Sequence, residues 1–140
     1  MNRHHWEENL NYLINLSSRK KETLSLVYID LDNFKQVNDR LGHAEGDALL
    51  KFVAKSMKKV ARESDLLVRL GGDEFAVAMP NTNCDRANKF INRLENEVGQ
   101  NLFSAGVVAT SKGEPFERLL QRADRAMYEI KAERRSLRLA

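Results

Sequence analysis

Two glycines and two acids, Gly71-Gly72-Asp73-Glu74, stand between two β-rich runs, Leu66-Leu67-Val68-Arg69-Leu70 and Phe75-Ala76-Val77-Ala78-Met79. No other feature limits the fold so tightly. The glycines are free to take the positive φ that tight primed turns require, so the segment predicts an antiparallel hairpin. Pro80 closes the second run, because proline has no N–H to give a ladder. Leu24 to Ile29 is a further β-rich run and leads into Asp30-Leu31-Asp32, a strand that delivers carboxylates at its C-terminal end. Leu102 to Ala109 reads as another strand, broken by Gly106.

Helical periodicity fills the intervals. Trp6, Leu10, Leu13 and Ile14 recur at helical spacing. Phe34 to Leu41 forms a short helix stopped by Gly42, and Ala48, Leu49, Phe52, Val53, Met57 and Val60 give a long helix one apolar face. Ala87, Phe90, Ile91 and Leu94 mark a helix that Gly99 ends, and Leu119, Leu120, Ala123, Met127 and Ile130 mark the last. Between the first and last helices the order is βαββαβ. The expected fold is therefore α+β with a ferredoxin-like core, an antiparallel central sheet flanked by helices, in which the first and third strands are central neighbours.

A chain of 140 residues is one domain's worth. Its apolar stretches are too short to span a bilayer, and Met1-Asn2-Arg3-His4-His5-Trp6 has no apolar signal core. A single cysteine, Cys84, excludes an internal disulfide and a cysteine-based zinc cluster, so a cytoplasmic location is expected. The net charge of +3 comes from scattered basic residues, which is no nucleic-acid footprint. Arg19-Lys20-Lys21 reads as a solvated loop, and Arg134-Arg135 with Arg138 as a second basic cluster.

In a βαββαβ sheet Asp30 and Asp73 could converge. Carboxylates that converge repel unless one is protonated or a cation lies between them. Hard oxygen ligands favour Mg²⁺ or Mn²⁺, which commonly share their shell with a substrate phosphate, the arrangement of phosphoryl and nucleotidyl transfer. A single acid at a strand end is more often just solvated, but this set lies beside two glycines. Those glycines serve turn geometry, or leave room for a ligand against the backbone, or both.

Gly71-Gly72-Asp73-Glu74-Phe75 resembles the signature of the GGDEF family, the diguanylate cyclases. Supporting segments follow in order: Asp30-Leu31-Asp32-Asn33-Phe34-Lys35, then Asn38-Asp39, then Gly42-His43-Ala44-Glu45-Gly46-Asp47. Arg69-Leu70, Ser104-Ala105-Gly106-Val107 and Ala123-Asp124-Arg125-Ala126-Met127-Tyr128 with Lys131 complete the resemblance over nearly the whole chain. It implies a βαββαβ core of the nucleotide-cyclase and polymerase-palm kind. It also implies condensation of two GTP into cyclic di-GMP with release of two pyrophosphates, by a homodimer using Mg²⁺ or Mn²⁺.

The same resemblance implies roles. Asp30, the Leu31 carbonyl, Asp73 and Glu74 would hold metal, with Asp73 and Glu74 catalytic. Asn38 and Asp47 would read guanine, whose adjacent N1–H and N2–H donors suit one carboxylate. Asn33, Phe34, Lys35, Gly71, Gly72, Lys131 and Arg135 would surround the triphosphate. Arg62 and Asp65 match an R-x-x-D site that binds cyclic di-GMP as inhibitor, with Arg93 as a secondary arginine. His43 is expected only to shape its loop. Taken singly, Asn38 is a helix-surface residue, Asp47 a helix N-terminal acid, and each basic residue a solvated side chain.

Three departures stand out. The family's D-x-L-T-x-L stretch is absent before Asn2-Arg3, which suggests one trimmed domain over residues 1–140 whose fused sensor is missing. The segment from Leu94 to Phe103 is short, suggesting a reduced peripheral hairpin. Arg134 stands where the closing motif often has glycine, which leaves the outer phosphate contacts open. The competing reading is a non-catalytic module that binds GTP or cyclic di-GMP. Neither nucleic acid nor membrane is an expected partner.

Overall fold

The computed structural model describes residues 3–139, with side chains through residue 137. Met1, Asn2 and the Arg138 side chain of the second basic cluster lie outside the described residues. The elements are α1 (Arg3–Lys20), β1 (Ser25–Leu31), α2 (Phe34–Leu41), α3 (His43–Val60), β2 (Leu66–Arg69), β3 (Glu74–Met79), α4 (Cys84–Val98), β4 (Phe103–Ala109) and α5 (Phe116–Leu139). The four strands lie in the order β2-β3-β1-β4, and every neighbouring pair is antiparallel. The expected α+β architecture is observed, with β1 and β3 side by side at the centre.

Alternation along the strands divides the apolar residues between two faces. Val27, Ile29 and Leu31 of β1 pack with Phe75 and Val77 against α3 and α4, which contribute Leu50, Val53, Phe90 and Leu94. Leu26 and Tyr28 pack with Ala76 and Ala78 on the other face, under Trp6 and Leu10 of α1 and Leu119 and Met127 of α5. Asp30, two residues past Tyr28, thus points to the α5 side of the sheet.

Two local expectations are corrected. Gly71 and Gly72 do not take positive φ, unlike Gly42, Gly99 and Gly113. The connection is wider than a two-residue primed turn: residues 70–73 form the loop, and the Leu70 N–H donates to the Glu74 carbonyl at 2.8 Å. Nor does Gly106 break its strand, since β4 continues from Phe103 to Ala109. The glycine instead lets α5 lie directly on the sheet. A Cβ there would sit 2.2 Å from the Met127 nitrogen and 2.6 Å from the Ala126 carbonyl carbon.

Residues 99–102 alone join α4 to β4, so the short Leu94–Phe103 segment carries no hairpin of its own. Among the described residues no helix is long and apolar enough to cross a membrane.

Gly106→Ala should destabilise the fold by roughly 2–3 kcal/mol, because the added methyl meets helix backbone rather than a movable side chain. Denaturant unfolding reads this directly, and unchanged stability would contradict the close approach of α5 to β4.

Candidate active site

The central strand pair brings the acids together. Asp30 stands opposite Glu74 of β3 and opposite Ser104 of β4. The Leu31 N–H donates to the Asp73 carbonyl at 3.0 Å, which ties the hairpin to the end of β1. Asp30 is 8% exposed. Its Oδ2 accepts from the Lys131 ammonium at 2.7 Å, while its Oδ1 is buried without a hydrogen-bond partner. Burial pushes the Asp30 carboxyl up to about 6; Lys131 opposes the shift and Asp73 adds to it.

The hairpin loop is shaped by a residue the sequence marked only as preceding the signature. The Arg69 guanidinium donates to the Gly71 carbonyl at 3.0 Å and to the Gly72 carbonyl at 2.9 Å. Space beside both glycines is open, with nothing within 4 Å of where a Cβ would stand. Neither a positive φ nor a close neighbour requires glycine at either position.

Past β1 the chain turns at Asn33, in the left-handed region at φ 60°, and enters α2 without a side-chain cap. The first N–H groups of α2 therefore keep their donors uncapped. Beside this turn lies a cleft of about 260 Å³ lined by Leu31, Asn33, Phe34, Lys35, Asp73, Lys131 and Arg135. Most of the residues expected around a triphosphate thus share one cleft. Asp32, Gln36 and Arg134 line it too, and the sequence reading gave none of them a role.

Asn38 and Asp47 lie outside that cleft, at the α2–α3 junction. Asn38 is one turn beyond Phe34, and its Oδ1 would sit 1.8 Å from a Cβ on Gly46. Gly46 thus lets the Asn38 side chain lie against the first turn of α3, and the G-H-x-x-G-D spacing was its only sequence signal. Exposed Asp47 opens a groove of about 680 Å³ between α3 and β2, which also reaches Arg69 and Phe75. His43 opens α3 and is exposed.

Arg62, Asp65 and Arg93 line a third cavity, of about 260 Å³, on another side of the domain. Arg62 is half-exposed and tied to its neighbours there. Its backbone N–H and guanidinium both donate to Asp65, at 2.8 and 3.2 Å, and the guanidinium also reaches the Pro80 carbonyl at 2.9 Å and Thr82 Oγ1. Arg86 and Lys89 add two cations that the sequence reading missed.

Among the described residues no group of three or more His, Cys, Asp and Glu side chains surrounds a common point. Asp73 crowds Asp30, and Asp30 keeps an orphaned oxygen. That set suits Mg²⁺, which takes one or two carboxylates and completes its shell with phosphate and water.

Residues 1–137 match the family described as "Diguanylate cyclase, GGDEF domain". Diguanylate cyclase A of Treponema denticola is 39% identical over 132 residues, covering 86% of this chain and 36% of that protein. Cyclic di-GMP phosphodiesterase NbdA of Pseudomonas aeruginosa is 37% identical over 120 residues, covering 78% of this chain and 15% of its own length. The GGDEF domain of DgcB from Caulobacter crescentus, solved with c-di-GMP, superposes with a TM-score of 0.90 at 26% identity, covering 95% of this chain and 86% of that one. The chain belongs to the GGDEF family. It spans less than half the length of these curated relatives.

The raised Asp30 carboxyl fixes a sign for pH dependence. Its unfolded value is 3.8 and its folded value about 6, so the native state binds more protons between those values. Stability from this group is full below pH about 4 and is lost as pH rises through about 6. In metal-free protein, the melting temperature of Asp30→Asn relative to wild type should rise across that window and level off above it. A difference that stays constant with pH would contradict the assignment.

Proposed function

We propose that this chain is a diguanylate cyclase domain that condenses two GTP molecules into cyclic di-GMP and two pyrophosphates. The observation that carries the reading is the orphaned Asp30 oxygen, whose neighbours Asp73 and Lys131 line a cleft rich in cations. Asp30, the Leu31 carbonyl, Asp73 and Glu74 would hold Mg²⁺ or Mn²⁺. Such a cation, when bound, offsets negative charge on the α-phosphate and acidifies the ribose 3′-hydroxyl.

Asp73 and Glu74 accept the 3′-hydroxyl proton in this reading. The 3′-oxygen attacks the α-phosphorus of the facing GTP, and the bond to pyrophosphate breaks. Lys35, Lys131 and Arg135 neutralise the departing pyrophosphate, while the Asn33, Phe34 and Gly71-Gly72 backbones lie against the phosphates. Asp47 takes the N1–H and N2–H of guanine, and Asn38 completes the base edge. One domain supplies one GTP, so two copies must face each other about a two-fold axis. The relatives' greater length leaves room for a further domain that controls this pairing. Arg62, Asp65 and Arg93 bind cyclic di-GMP as inhibitor, which requires Arg62 to leave Pro80 and Thr82.

The test is purified chain with GTP and Mg²⁺, assayed for cyclic di-GMP over a range of protein concentrations. Specific activity should rise with concentration, and Asp73→Ala should reduce turnover by at least about a hundredfold. Asp47→Ala should weaken GTP far more than ATP, and equal loss for both would remove the guanine-reader role. GTP or cyclic di-GMP binding with no product, even under forced dimerisation, would favour a regulatory module, a reading supported by the match to part of a phosphodiesterase.

A further inference from the structure

Arg134 makes contacts that reach across the fold. Its Nη1 donates to Asp32 Oδ2 at 3.1 Å and to the Phe103 carbonyl, and its Nη2 lies 3.8 Å from Glu95 Oε1. One guanidinium thus joins α5 to the end of β1, the start of β4 and α4. Its partner is well held: Asp32 accepts from Ser104 Oγ at 2.9 and 3.1 Å, and its N–H donates to the Leu102 carbonyl. The Asp32 side chain is 4% exposed against 29% for Arg134, so solvent screens this pair less than a surface ion pair.

A second ion pair lies alongside. Lys131 is three residues earlier on α5, and its partner Asp30 is two residues earlier than Asp32. Three helical residues rise about 4.5 Å and two extended residues span about 6.6 Å, so the helix and the strand end can hold both pairs side by side. Lys131, Arg134 and Arg135 crowd three cations onto adjacent positions of one helix, where like charges repel. Asp32 neutralises the middle one.

We propose that Arg134 is a positioning residue for the phosphate cleft: its pairing with Asp32 fixes the α5 turns that present Lys131 and Arg135 to a triphosphate. This rests on the phosphate-site reading above. Arg134 does not bind the nucleotide in this account; it acts through the helix it anchors. Lysine cannot replace it fully, because one ammonium cannot span a carboxylate, a carbonyl and a second acid as a planar guanidinium does.

The test is calorimetric binding of α,β-methylene-GTP in Mg²⁺, with GMP as the ligand lacking the outer phosphates. The proteins are wild type, Arg134→Ala, Arg134→Lys, Asp32→Asn and the Arg134→Ala/Asp32→Asn double variant. Arg134→Ala should weaken the triphosphate analogue about tenfold, the scale of one charge-assisted contact, and leave GMP unchanged. Arg134→Lys should fall between. The double variant should lose no more than Arg134→Ala alone, because the two residues act as one unit.

Wild-type affinity in Arg134→Ala, additive losses in the double variant, or equal loss for GMP would each overturn the proposal. Additivity would make Arg134 a direct phosphate ligand, and equal loss for GMP would make it a general structural brace. Failure of the wild type itself to bind the analogue would instead overturn the phosphate-site reading beneath it.

Discussion

A buried carboxylate with one satisfied oxygen organises the site. Asp30 gives Oδ2 to Lys131 and leaves Oδ1 without a partner, and the charge of Asp73 stands near enough to push its ionisation up. A charge kept out of water is costly unless something opposite meets it. Lys131 meets half of that need. The remaining half is unmet, next to Asp73, and in the proposed reading a divalent cation would meet it.

The βαββαβ topology is what makes such a carboxylate possible. Only because β1 and β3 are neighbours does the hairpin after β2 come to rest beside the end of β1, and the Leu31–Asp73 backbone bond fixes it there. Gly106 lets α5 close onto the sheet, which carries Lys131 to Asp30 and Arg134 to Asp32. The α2 helix then runs from one part of the site to another, with Phe34 in the cleft of Lys131 and Arg135 and Asn38 against Gly46 one turn later. The paired carboxylates, the cleft of Lys35, Lys131 and Arg135, and the Asn38–Gly46 junction therefore share short connections.

Much of this was legible in the sequence. Apolar periodicity located four of the five described helices, the stop at Gly42 bounded the short α2, the β-rich runs located the four described strands, and their order gave the sheet. What escaped was tertiary. The glycine pair announced a hairpin, but the loop is wider than a primed turn, and sequence alone does not reveal which φ a glycine takes. Gly106 read as a break because the helix that needs its missing side chain lies 20 residues further along the chain. Arg134 was visible as part of a basic cluster and as a departure from glycine, but its partner Asp32 is 102 residues away. Arg86 and Lys89 carried no signal beyond being basic, and only folding brings them to the cavity of Arg62.

The most direct test of the central claim is the electron paramagnetic resonance of Mn²⁺ titrated into the protein with α,β-methylene-GTP. The account predicts protein-bound Mn²⁺ that appears with the nucleotide and is lost in Asp30→Asn, whose neutral amide no longer calls for a cation. Mn²⁺ bound as well by Asp30→Asn as by the wild type would contradict it.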